Sequence, residues 1–279
     1  MKISSNGVQL NVVEQGTGEA ALVFVHYWGG SSRTWNPVTT FLSKEFRTIA
    51  IDQRGWGESD KPASGYSIQN LADDLEGVVR ELGLSRHFLV GHSMGGKVVQ
   101  YLASRKPKGL EGLILIASAL PTPARIPLER RNALVHVYDS RESILGAVNN
   151  ALTARKLSAE IQEQVVEDSL KGCKETKHAW PTSGMIEDIS DVFNITYPTL
   201  IISGEKDQVD PPEMLKAELL PKIPGARFHL IPGVGHLTPL EAPEEVAKAI
   251  RDFIRNIPRP ETNNRKQSGF TANQTENAI

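Results

Sequence analysis

"HFLVGHSMGGKVVQYLA", residues 87–103, decides the fold. An apolar run, "HFLV", is followed at once by Gly91, His92, Ser93, Met94, Gly95 and Gly96, and then by a pattern of helical period. An ordinary turn has no need of small residues on both sides of a serine. A serine held out at a sharp bend between a strand and a helix does need them, because strand and helix then pass close together. A bare G-x-S-x-G is weak evidence; here the strand before it and the helix after it sharpen the signal. Such a bend lifts the Ser93 hydroxyl above a sheet, at the N-terminus of a helix starting at Met94. Free N–H groups and the positive dipole end there favour a developing oxyanion.

The surrounding pattern agrees. Short apolar runs recur at 21–26, 46–51, 87–90, 113–117, 198–203 and 227–231. They are continuous rather than alternating, as parallel strands covered on both faces are. Residues before 16, joined across Asn6-Gly7, read as an antiparallel hairpin at the sheet edge. Helical stripes fill the gaps at 67–83, 94–106 and 243–256. Strand-helix alternation predicts an α/β fold with a mostly parallel, doubly wound sheet.

The alternation stops between about 119 and 196. Two serine-capped helical stretches, "SRESILGAVNNAL" and "SAEIQEQVVEDSLKG", stand out there. We therefore expect core segments at 1–118 and 197–258, a helical cap at 119–196 over the carboxyl ends of the strands, and a polar, disordered tail at 259–279.

Composition excludes several classes. The 279 residues are 39% hydrophobic and 23% charged, with a formal net charge of -2, so neither nucleic acid nor an anionic membrane surface is an expected partner. No apolar stretch approaches the ~18 residues of a membrane helix, and no signal-peptide pattern opens the chain. Cys173 is the only cysteine, which leaves no internal disulfide and no cysteine-based metal pattern. A cytoplasmic location is expected; no feature sets an oligomeric state.

A serine hydroxyl needs a base. Of seven histidines, His236 lies in the glycine-rich loop "PGVGHLTPLEAPEE", after the last strand run, where it can reach across the strand ends. His229, mid-strand, is expected to be buried and hydrogen-bonded. The carboxylate that orients the base comes from "LIISGEKDQVDPP": Asp207, with Asp210 as the alternative and a helix cap as its expected role, and Glu205 as a third candidate. The resulting order is Ser, Asp, His.

With these motifs in view, the chain resembles the α/β-hydrolase-fold superfamily, in the branch of esterases and non-haem haloperoxidases (perhydrolases). "VFVHYWGGSSRTW", "IDQRGWGESDKP", "GHSMGG", "SGEKD" and "GVGHLTPLEAPEE" carry the resemblance, over residues 21–256. It implies a triad of Ser93, Asp207 and His236, an oxyanion hole from the amides of Trp28 and Met94, and no cofactor or metal. Ser93 stands where the related epoxide hydrolases and haloalkane dehalogenases carry aspartate, which argues against both activities. One departure is Tyr27, in place of the glycine that usually follows His26. The expected function is cleavage of a small carboxylic ester or lactone through an acyl-enzyme. Alternatives on the same frame are cofactor-free perhydrolysis, carbon–carbon bond hydrolysis and a non-catalytic ligand receptor. Tyr27, Trp180 and Met185 are expected to line the substrate pocket. The rings of Tyr27 and Trp28 are expected to restrict it to short acyl chains.

Overall fold

A computed structural model describes residues 1–257; the tail expected at 259–279 lies outside them. Eight strands form one sheet. They are β1 (Lys2–Ser5), β2 (Val8–Gln15), β3 (Ala21–Val25), β4 (Arg47–Ile51), β5 (His87–His92), β6 (Leu110–Ile116), β7 (Thr199–Gly204) and β8 (Arg227–Ile231). Their spatial order is β1-β2-β4-β3-β5-β6-β7-β8. β1 and β2 pair antiparallel, as do β2 and β4, and all other neighbours are parallel. The Asn6-Gly7 turn has positive φ at both residues, as a tight two-residue hairpin requires.

The continuous apolar runs have a direct cause. Along β3, Val23 and Val25 point into one core while Leu22 and Phe24 point into the other. The same division holds for Leu113 and Leu115 against Ile114 and Ile116 in β6. A strand buried on both faces has no solvent side on which to place polar residues. Helices α1 (Asn36–Leu42) and α10 (Pro243–Arg255) cover one face through Val38, Leu42, Val246, Ile250 and Phe253. Helices α2 (Ile68–Glu81) and α3 (Met94–Ser104) cover the other. Ser67 caps α2, its hydroxyl accepting from the Asn70 amide at 3.2 Å.

Between β6 and β7 the chain forms α4 (Leu128–Leu134), α5 (Arg141–Ala147), α6 (Ala159–Lys171) and α7 (Lys174–Thr182). Ser140 and Ser158 cap α5 and α6. The expected strand-free insertion is present, with two helices more than the sequence marks. α4 buries none of its side chains, so no apolar stripe announces it. α7 carries Pro181 in its last turn, where the missing N–H leaves the Lys177 carbonyl without its helical donor; the Trp28 indole N–H donates to that carbonyl instead, at 3.2 Å. After β7 come the short helices α8 (Pro212–Met214) and α9 (Thr238–Glu241). His229 is exposed in β8, contrary to expectation, because β8 is an edge strand whose outer face has no covering layer at that position. Among the described residues no helix is long and apolar enough to cross a membrane.

Candidate active site

Ser93 sits between β5 and α3 with φ 53° and ψ -115°, a left-handed backbone that side chains other than glycine avoid. The strain is held by the sheet: the Ser93 amide donates to the Ile116 carbonyl at 3.0 Å, and its own carbonyl accepts from Ala119 at 3.1 Å. The flanking glycines are there for space. A Cβ on Gly95 would run into the carbonyls of Val25 and His26, and one on Gly91 into Gly95 and Val99.

His236 and Asp207 arrive from loops after β8 and β7. The Ser93 hydroxyl donates to His236 Nε2 at 2.9 Å. His236 Nδ1–H faces both Asp207 oxygens, at 3.1 and 3.0 Å. A carboxylate can only accept, so it fixes the proton on Nδ1 and leaves Nε2 free to take one. All three side chains are buried. Burial by itself would lower the His236 pKa, but the charges of Asp207, Asp210 and Glu241 prevail and hold it above the ordinary imidazole value.

The Asp207 loop is tight. Its Oδ1 also accepts from the amides of Val209 at 2.8 Å and Asp210 at 3.0 Å. Glu205 points elsewhere, to the Gly233 amide at 2.9 Å. Asp210 caps nothing: Pro211 is the N-cap of α8, with no side-chain hydrogen bond.

The amides of Trp28 and Met94, expected as oxyanion donors, donate to no acceptor among the described residues. The Trp28 carbonyl accepts from the Tyr138 hydroxyl at 2.6 Å, and the Gly29 carbonyl from Ser169 Oγ at 2.9 Å. Two residues of the insertion thus fasten the loop after β3. Gly29 has φ 98°, and a Cβ there would strike the Tyr138 ring. Glycine is required for both reasons.

A cavity of about 280 Å³ opens over Ser93. Trp180 and Met185 line it, as do Leu120, Ile126, Asp210 and Met214. Tyr27 does not line it, and neither does Trp28. The Trp28 indole turns up into the insertion, 4.3 Å from the Tyr138 ring centroid, with its N–H donating to the Lys177 carbonyl at 3.2 Å. The Tyr27 ring packs 5.2 Å from His92. Neither ring forms the cavity wall as expected, because aromatic and carbonyl partners from the insertion draw Trp28 away and Tyr27 packs on His92.

Four residues of the site went unassigned from sequence. His92, inside the bend, donates from Nε2 to the His236 carbonyl at 2.8 Å; burial keeps its pKa well below the usual range, so it stays a neutral strut. Glu241 accepts from the amides of Gly235, Ala154 and Arg155, tying the histidine loop to the insertion. Lys97, fully buried in α3, donates to the Gly184 carbonyl at 3.4 Å and to that of Glu187. It fastens the turn that carries Met185, and burial lowers its pKa to about 8. Tyr138 is the fourth. The only sequence signal available for Glu241 and His92 was their closeness to His236 and Ser93. Lys97 and Tyr138 gave none, since their partners are about 90 and 110 residues away.

Asp52 and Arg54, in the loop after β4, hold neighbouring loops in place. Asp52 accepts from the amides of Ser32 and Glu58, and Arg54 pairs with buried Asp74 at 2.6 Å.

The chain has relatives among known proteins. A hydrolase of 2-(acetamidomethylene)succinate from Mesorhizobium japonicum is 30% identical, over 91% of this chain and 94% of that one. A bifunctional esterase/perhydrolase from Acinetobacter calcoaceticus is 27% identical, over 91% and 98%. The solved structure of an esterase from Exiguobacterium antarcticum superposes with a TM-score of 0.84 at 25% identity, over 91% of this chain and 99% of that one. A family model described as "Alpha/beta hydrolase family" matches residues 22–249. With its eight-stranded sheet and this match over most of its length, the chain belongs to the alpha/beta hydrolase family.

Proposed function

We propose that the protein is a serine hydrolase of small carboxylic esters, lactones included, and that it works through an acyl-enzyme on Ser93. The observation that carries this reading is the unbroken relay from Ser93 Oγ to His236 Nε2 at 2.9 Å and from Nδ1 to Asp207 at 3.0 Å, opening on a cavity. The esterase names among the relatives support ester and lactone hydrolysis in general.

In the proposed reaction His236 takes the Ser93 proton as Oγ attacks the ester carbonyl. The tetrahedral oxyanion accepts hydrogen bonds from the Trp28 and Met94 amides. His236 then returns the proton to the departing alcohol as the carbon–oxygen bond breaks. Water, activated by the same histidine, attacks the acyl carbon and frees the acid and Ser93. Asp207 holds the tautomer and stabilises the imidazolium. The insertion at 119–196 acts as the cap: it supplies the apolar cavity wall and fixes the oxyanion loop through Tyr138.

Perhydrolysis is a second reading, favoured by the relative named an esterase/perhydrolase; there hydrogen peroxide replaces water against the same acyl-enzyme. The dicarboxylate in the name of the Mesorhizobium relative finds less support. The one basic side chain lining this cavity, Arg125, is exposed and already donates to Glu218 at 3.3 Å.

Ser93→Ala and His236→Ala should each lower kcat/KM on p-nitrophenyl esters by about 10³-fold or more, with the thermal transition retained. Wild-type rates in folded Ser93→Ala protein would refute the assignment.

A further inference from the structure

Asp210 stands three residues after Asp207, yet it has no part in the relay. Its amide donates to Asp207. Its carboxylate oxygens accept no hydrogen bond from any described residue, although the side chain is partly buried and the residue lines the cavity that contains Ser93. The walls around it are largely apolar: Leu120, Ile126, Trp180, Met185 and Met214. Two other charged residues line the cavity, Arg125 and Glu218, and they pair with each other. One carboxyl group is left on an apolar wall with no hydrogen-bond donor and no ion-pair partner among the described residues; the Lys97 ammonium and His236 are its cationic neighbours.

We propose that Asp210 is the recognition carboxyl of this cavity, selecting esters that carry a protonated amine and rejecting esters that carry a carboxylate. The proposal rests on the ester-hydrolase reading above and narrows its substrate class. A carboxylate removed from bulk water without a donor is poorly solvated, and a substrate ammonium supplies both the hydrogen bond and the opposite charge. An anionic substrate meets an unpaired like charge, with the guanidinium of Arg125 already engaged.

Ionisation behaviour fits. Burial pushes the Asp210 pKa up to about 7, with the neighbouring Asp207 charge acting in the same direction and His236 and Lys97 acting against it. Near neutrality the carboxyl therefore lies between its two forms, and a bound ammonium draws it to the charged one. These neighbours act on it together with Arg125 and Glu218 on the cavity wall and with Glu187 and Asp188, which act on Lys97.

The test compares neutral, amine-bearing and carboxylate-bearing esters of matched length. One series is ethyl hexanoate, ethyl 6-aminohexanoate and monoethyl adipate. A second places the amine or carboxylate on the alcohol instead. Values of kcat/KM are measured for the full chain, for Asp210→Asn and, should that variant not fold, for Asp210→Ala. In at least one series the wild type should prefer the amine ester over the neutral one by about tenfold or more, and disfavour the carboxylate ester by a similar factor. The substitution should bring the ratios to within about twofold of one. The wild-type amine-to-neutral ratio should also rise with pH as Asp210 ionises, and that rise should be absent in Asp210→Asn, where only the His236 relay titrates. Ratios near one in both series, ratios retained in the Asp210 variants, or a ratio flat with pH would each overturn the assignment. Those outcomes differ from failure of the ester-hydrolase reading, in which the neutral esters are not turned over at all, or are turned over equally by Ser93→Ala.

Discussion

Leu115 and Leu128 are leucines thirteen positions apart, and they live in different kinds of structure. Leu115, in β6, is fully buried beneath α3; Leu128 opens α4 and is 62% exposed. The core around Leu115 is held by strand ladders and by close packing on both faces of the sheet. The insertion also buries apolar residues such as Ile144 and Val165. Near the site, however, much of its hold is on carbonyl groups: Tyr138 to Trp28, Ser169 to Gly29 and Lys177 to Tyr138. A ladder is indifferent to which side chains it carries, whereas these bonds depend on single hydroxyl and amino groups. We expect the core to fix where the chemistry happens, and the insertion to set how well the loop beside it is aimed and what enters.

Substitutions can break this division in order of effect. Asp207→Asn, in the core, keeps the shape but removes the charge that holds the His236 tautomer. It should lower kcat/KM by roughly 10³-fold, about 4 kcal/mol of transition-state stabilisation. In the wild type, kcat/KM should fall with acid about a midpoint above 6.5, since Asp207 and its acidic neighbours raise the His236 pKa and only the neutral imidazole can act as base. The residual activity of Asp207→Asn should have its acid midpoint shifted down, because a raising charge is gone. A roughly 10³-fold loss in Asp210→Asn, with none in Asp207→Asn, would exchange the two carboxylates.

Leu115→Ala should cost about 2–5 kcal/mol of stability in denaturant unfolding, from lost burial and the cavity left behind. Tyr138→Phe, in the insertion, preserves the ring against Trp28 but strips the hydrogen bond from the Trp28 carbonyl. A kcat loss of about tenfold is expected, with a stability loss of about 1–2 kcal/mol. If kcat held while stability dropped, Tyr138 would be a fastening alone, and the proposed oxyanion role of the loop after β3 would not depend on it. Leu128→Ala should change stability by no more than about 0.5 kcal/mol. A larger loss would place α4 among the structural elements of the fold.

The same contrast explains what could be read from sequence. Strand runs at 21–26 and 113–117 were legible because both faces of a central strand are buried, and Ser93 was legible because its strained backbone demands glycine neighbours. His236 and Asp207 followed from the ends of strands already located. The direction of the Trp28 ring was not legible. It is decided by Tyr138 and Lys177, more than a hundred residues away, and no local pattern records that choice. Asp210 was misread for a related reason: an aspartate before a proline looks like a helix cap until the geometry shows that α8 starts without one. α4 has no buried face and so leaves no periodicity to find.

Labelling with a fluorophosphonate tests the nucleophile most directly, because the reagent reports an activated serine whatever the natural ester is. Wild-type protein should take up one label per chain and lose esterase activity in proportion. Ser93→Ala should take up none, and His236→Ala should label slowly. Labelling of folded Ser93→Ala protein to the wild-type extent, or wild-type protein that hydrolyses esters without taking up the reagent, would contradict a relay running from Asp207 through His236 to Ser93.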